Sequence, residues 1–441
     1  MENNVFVLAL AVLAFGLLAG RLSGSSLTMP MLFAAAGLVL GPSALGVLDL
    51  GVENEFVSGL AEATLVVVLF TDASRMDLGT VLREHGLALR LLGVGLPLAV
   101  VLGVGIGLLL FPDLPVAAVA LLAATLAPTD AALGQAFVSD TSVPARVRQT
   151  LNVESGLNDG LAVPFVTVLL DVARDEAGSV LGYVGLFAAL VGIGVAVGVA
   201  VGWLGGRLLE WSASRGWATS TSQRLVTMAL AGAAYGGSES LGGNGFVAAF
   251  VAGLVVGAAA RSLVPHTTGF AEAEGQLLSL ITFLLFGGVV VADVIQAVTW
   301  QAVLYGAASL LVVRPLAVAV ALVGSRVRVV TIGFVAWAGP RGLASIVYAV
   351  LILRTEGVPG ADVVFSVACL TILLSIYAHG VSAAPLSAAY GRRISHRGGS
   401  EHRPISDLPI RLSFRRSSRA PNPPWSCGRD DRCAARWSGS G

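Results

Sequence analysis

The chain has 441 residues, 55% of them hydrophobic and only 12% charged, with a mean hydropathy of +0.83. That excludes an ordinary soluble domain and predicts an all-α polytopic membrane protein. Acidic and basic residues balance at 27 each, so no bulk field attracts nucleic acid, and where the charges sit matters more than their sum.

Runs of about 20 apolar residues, each long enough to cross the hydrocarbon core, alternate with charged or Gly/Pro-rich breaks. About thirteen spans are expected, near 4–20, 27–48, 56–73, 86–111, 114–138, 147–170, 180–209, 222–237, 245–260, 275–293, 298–323, 328–353 and 361–388. Glu2 stands where a signal peptide would be basic, and no cleavage pattern precedes Arg21, so the first span is expected to stay. Every basic residue is arginine, and the arginines alternate in density from one loop to the next. With the N-terminus outside, inner loops hold Arg75, Arg83 and Arg90, then Arg146 and Arg148, then Arg207, Arg215 and Arg224, then Arg326 and Arg328; outer loops hold only Arg174 and Arg354. This is the positive-inside pattern. Residues 1–390 are expected to form the transmembrane domain and 391–441, rich in Arg, Ser and Pro, a disordered cytoplasmic tail. Cys369, Cys427 and Cys433 match no metal or redox spacing.

Polar residues inside the spans come next in chain order. The third span ends in LFTDASRMDL, with Asp72 just inside the apolar run; a helix-end acid at the interface is the plain alternative. In the fifth, LLAATLAPTDAALG sets Pro128, Thr129 and Asp130 deep in apolar sequence. Proline removes an amide donor and frees backbone carbonyls, and those carbonyls with Thr129 and Asp130 are hard oxygen donors suited to a small alkali cation. The sixth span carries NVESGLNDGLAVP, residues 152–164. On a helix, Glu154 and Asn158 share one stripe and Ser155 and Asp159 the next. Ionised carboxylates in hydrocarbon cost several kcal/mol unless they meet water, a cation or a base, so the cluster marks a function unless it is a surface loop. Arg314 and Arg341 lie mid-span in the eleventh and twelfth, where both need partners; Glu154 suits one of them, leaving Asp159 and Asp130 as the titratable pair. The twelfth span is broken at Gly339-Pro340, the position matching Pro128 if two inverted six-span repeats flank a connecting seventh. Two discontinuous helices whose half-helix ends face each other are therefore expected, with Asp130 and Arg341 compensating their backbone dipoles.

ESGLNDGLAVPF, APTDAAL, FTDAS, the arginine of the eleventh span and GPRG in the twelfth resemble the sodium/proton exchanger family of monovalent cation/proton antiporters, of the electroneutral Asn-Asp type, over about residues 5–390. The resemblance implies a core domain with the crossed helices, assigned to about 56–170 and 275–353, and dimerisation helices in the remainder. It implies that Asp159 binds the ion or proton with Ser155, Asp130, Thr129 and Asp72 around it, that Asn158 orients the site, that Glu154 pairs with Arg314, and that Arg341 stabilises the crossing. Ala131 follows the Thr-Asp pair where many relatives have proline. The expected activity is a secondary transporter, not an enzyme, exchanging protons for Na⁺ by alternating access at one carboxylate, with one proton per cation. No resident cofactor is expected, Na⁺ or K⁺ being cargo. The expected setting is the plasma (inner) membrane, as a homodimer in the lipid bilayer, with the N-terminus outside. A K⁺/H⁺ or electrogenic antiporter of the same fold is the first alternative. An intramembrane aspartyl hydrolase using Asp130 and Asp159 is a remote one, since it needs neither buried arginines nor broken helices.

Overall fold

Apolar runs punctuated by Gly, Pro and short polar caps fold as helices throughout. The computed structural model describes residues 6–394 except 11, 15, 18–26, 43, 49–50, 52–53, 77–78, 80, 82–84, 175–178, 261–263, 292–293 and 295–297, with backbone alone at 180 and 264–273. The first expected span falls partly outside these residues, and the expected tail lies wholly outside them from 395 onward. Among the described residues there is no strand.

The helices are α1 (Met29–Leu40), α2 (Glu55–Arg75), α3 (Gly86–Leu110), α4 (Val116–Thr125), α5 (Ala131–Val138), α6 (Ala145–Arg174), α7 (Val180–Ser214), α8 (Ser220–Ser240), α9 (Gly245–Ala259), α10 (Val264–Leu285), α11 (Trp300–Ala321), α12 (Val329–Trp337), α13 (Leu343–Arg354) and α14 (Ala361–Ile394). Among the described residues six of these, α2, α3, α6, α7, α11 and α14, are long and apolar enough to cross a membrane alone. The rest are shorter, and α4 with α5 and α12 with α13 are two halves of interrupted spans, broken where Pro128 and Gly339-Pro340 were expected to interrupt them. Side-chain caps fix several starts: Asn54, Ser179, Thr219, Asn244 and Thr299 each accept an amide of the first turn.

α3 and α11 each contain a π turn, at Leu91–Gly95 and Ser309–Val313, and each π turn is followed one residue later by the same tetrapeptide, PLAV, at 97–100 and 315–318. The two helices pack on each other, with Ala99 against Val313 and Ala317. A third π turn, Phe286–Val290, extends α10.

Packing sorts the helices into two groups. One is α1, α2, α8, α9 and α10, with α2 lying mainly on α9 and α10. The other holds α3 to α6 and α11 to α14, with α14 against α4, α5, α11 and α13. The expected core of about 56–170 and 275–353 takes in α2 and α10, which pack in the first group, and leaves out α14, which packs in the second. The reason is shape, because glycines on α9 let α2 come close, Gly253 and Gly257 sitting on the backbone of Phe70 and Ser74. The long α7 packs mainly on α9 and α8, touches α6, and is the least covered of the six long helices, 11% buried over its most apolar stretch.

Candidate functional site

Both broken helices leave backbone groups stranded inside the protein, and the site is built from what satisfies them. The first break, residues 126–130, meets the second, 338–342, directly: the Asp130 amide donates to the Pro340 carbonyl at 2.8 Å. The Asp130 carboxylate is divided between two helix starts. Its Oδ1 accepts the Leu133 amide at 2.8 Å, capping α5, and its Oδ2 accepts the Leu343 amide at 2.7 Å, capping α13. One negative charge thus faces two positive helix ends. At the opposite end of the first half-helix, the fully buried Arg341 donates from one nitrogen to the carbonyls of Ala127 (2.7 Å) and Pro128 (3.0 Å). Ser345 adds a bond from α13 to the Thr125 carbonyl at 2.6 Å. Glycine makes the crossing possible, since a methyl group at Gly342 would overlap the Asp130 carboxylate.

The α6 cluster stands beside this crossing. Thr129, in the first break, has its hydroxyl 3.1 Å from that of Ser155 and accepts the side-chain amide of Asn158 at 2.6 Å. Asp159 follows Ser155 by four residues, so it lies on the same face of α6, one turn along. The Asp159 main-chain oxygen accepts the hydroxyl of the buried Tyr348 on α13 at 3.1 Å. Glu154, on the neighbouring stripe, is bound to Arg314 of α11 through two bonds of 2.6 and 3.0 Å, a fork-on-fork pair buried on both sides. The Arg314 guanidinium also fills the space that a Cβ at Gly339 would need, so the ion pair abuts the second break. Asp72 is buried near the end of α2, and Met76, one turn on, covers Gly156 of α6. All nine expected site residues are buried.

The structure therefore brings together Thr129, Ser155 and Asn158, and separately Glu154 with Arg314 and Asp130 with Arg341 across the crossing. It engages Asp130, expected both as an ion ligand and as a compensator of the broken helices' dipoles, in capping two helices. Among the described residues no group of three or more His, Cys, Asp or Glu is poised for a metal ion, so any cation held here would rest on hydroxyl, carbonyl and single carboxylate oxygens. Tyr348, Ser345, Gly339 and Gly342 were not foreseen as parts of the site. The GPRG quartet flagged both glycines as breakers, but which side chains would press on them depends on the crossing.

Residues 6–389 match the family described as sodium/hydrogen exchanger, transmembrane. The chain belongs to this family. Among curated relatives, the K(+)/H(+) antiporter NhaP of Alkalimonas amylolytica is 27% identical over 272 residues, 60% of this chain and 46% of that protein. The uncharacterized Na(+)/H(+) exchanger YjcE of Escherichia coli is 30% identical over 182 residues, 39% of this chain and 32% of that one. The chain spans about half the length or less of the curated relatives it matches. Its fold resembles that of the sodium proton antiporter MjNhaP1 of Methanocaldococcus jannaschii at pH 8, with a TM-score of 0.71 and 19% identity, covering 88% of this chain and 98% of that one.

Proposed function

We propose that this protein exchanges protons for monovalent cations across the plasma membrane, Na⁺ being the first candidate cargo. The observation that carries the reading is the division of labour among the buried charges. Glu154 is locked to Arg314 and Asp130 caps two helix starts, while Asp159, one turn along α6 from Ser155, is the carboxylate that trades guests beside the hydroxyls of Ser155 and Thr129. Such a group holds a proton or a desolvated cation, not both, so the ligands compete. Moving it empty and charged through low dielectric is costly, so the site crosses when neutralised by either guest, and exchange follows. One guest charge per crossing makes the cycle electroneutral, with one proton for each cation. In proteoliposomes, cation uptake driven by membrane potential alone would overturn that stoichiometry.

Asn158 orients the site through Thr129, and Arg341 holds the carbonyls of the first break. Asp72 enters the site from α2. The group α3 to α6 with α11 to α14 is the moving core, and the α1, α2, α8, α9 and α10 group is the scaffold through which two copies pair as a homodimer. The excess of arginine in alternate loops supports an N-terminus outside and a cytoplasmic C-terminus. The deciding experiment is cation-induced collapse of a proton gradient in proteoliposomes, read with a pH-sensitive dye. Wild type is expected to respond and Asp159→Asn to lose the response; equal responses would remove Asp159 from its role. A second reading, K⁺/H⁺ exchange, is favoured by the name of the Alkalimonas relative. Comparing Na⁺, Li⁺ and K⁺ in the same assay separates the two.

A further inference from the structure

The second break has an orphan amide that nothing in the crossing satisfies. Arg341 is unwound from both half-helices, so its N–H has no acceptor within its own segment, and it is fully buried. Its partner comes from α14: the Ser375 hydroxyl oxygen accepts it at 2.7 Å. Ser375 is itself held by His379 one turn on. The His379 Nδ1 lies 2.9 Å from the Ser375 carbonyl and 3.2 Å from the Ser375 hydroxyl. A carbonyl only accepts, so Nδ1 carries the proton, and the ring donates toward Ser375. The hydroxyl oxygen is then approached by two donors, the Arg341 amide and the His379 ring, which points its lone pairs into the break and turns its own proton away. The ring is fixed in turn by Trp337, the last residue of α12, stacked on it at 4.6 Å and 20°; the Trp337 indole donates to Ser382 at 2.8 Å, back on α14. The end of α12, the unwound turn and α14 are thereby tied together by the hydrogen bonds of Ser375 and Ser382 and by the Trp337–His379 stack.

We infer that Ser375 and His379 are positioning residues for the crossing: through the Arg341 amide they set where its guanidinium meets the carbonyls of Ala127 and Pro128, and hence where Thr129 stands. This rests on the transport reading for its kinetic consequence but not for its structural one. It touches neither cargo nor Asp159, so the signature is a change in how tightly the site holds its cation, not only in how much protein folds.

Two measurements on purified full-length protein test it. In the exchange assay, Ser375→Ala is expected to raise the cation KM about 5-fold to 10-fold, and Ser375→Thr, which keeps the hydroxyl, to return it to within about 2-fold of wild type. His379→Asn, which keeps a donor near the same place, should disturb KM less than His379→Ala. By hydrogen-exchange mass spectrometry, peptides covering 338–342 are expected to exchange about 10-fold or more faster in Ser375→Ala than in wild type. A wild-type KM with wild-type exchange at 338–342 overturns the inference, as does a lowered maximum rate with unchanged KM and no rescue by threonine. If 338–342 loosens as expected but the wild-type protein itself moves no cation against protons, the transport reading fails and the positioning stands.

Discussion

The two helix breaks meet at one place but are made from different chemistry. The first, at 126–130, supplies oxygens: freed carbonyls at Ala127 and Pro128, the Thr129 hydroxyl and the Asp130 carboxylate. The second, at 338–342, supplies room and positive charge: Gly339 admits Arg314, Gly342 admits the Asp130 carboxylate, and Arg341 reaches back into the first. A pair of identical breaks would set like helix ends and like side chains against each other. The asymmetry lets one acid serve two helix starts and one base serve a helix end, so the buried charges compensate backbone as well as each other.

That comparison can be broken in order of expected effect. The largest should come from Glu154→Ala, which leaves Arg314 buried and uncompensated against Gly339, at a cost of about 3–5 kcal/mol. A steep fall in thermal stability in detergent, partly reversed by adding Arg314→Met, is the expected outcome; no reversal would mean the pair does not act as a unit. Next is Gly342→Ala, which forces a methyl group into the Asp130 carboxylate and should cost about 1–3 kcal/mol with loss of most exchange. If the variant matches wild type, the second break is not a space-making element. Asp130→Asn keeps an acceptor for one amide and removes the charge from two helix starts, a loss of about 1–2 kcal/mol. Its exchange should be slower with an unchanged pH profile, whereas a shifted profile would make Asp130 a titrating member of the site. The smallest effect belongs to Ser345→Ala, which removes one bond to the Thr125 carbonyl, at about 1 kcal/mol by chemical denaturation.

Much of this was legible in the sequence because hydrocarbon penalises charge and unpaired backbone so heavily. That penalty paired Glu154 with one of the two buried arginines, the family resemblance pointed to Arg314, and Pro128 and Gly339-Pro340 announced both breaks. What was hidden depended on three-dimensional neighbours. Nothing local to Asp130 says that its second oxygen meets Leu343, or that Tyr348 meets the Asp159 carbonyl. Nor does the sequence say which helices α2, α10 and α14 pack against, because apolar spans look alike until glycine contacts choose their partners. The repeat is inferred from the spacing of the two broken spans alone; PLAV at 97–100 and 315–318, four common residues, draws notice only because each copy stands one residue after a π turn.

Those π turns set the aim of Arg314. A π turn takes one residue more than an α turn, so everything after it is rotated by about 100° from where an uninterrupted helix would put it. Arg314 is the first residue past Ser309–Val313, and its guanidinium finds Glu154 with that offset in place. A chain shorter by one residue there would keep its hydropathy, length and composition almost intact, yet would swing the cation out of phase with its anion. The matching offset in α3 lies alongside, where Ala99 meets Val313 and Ala317, so a deletion in α11 would put that contact out of phase as well.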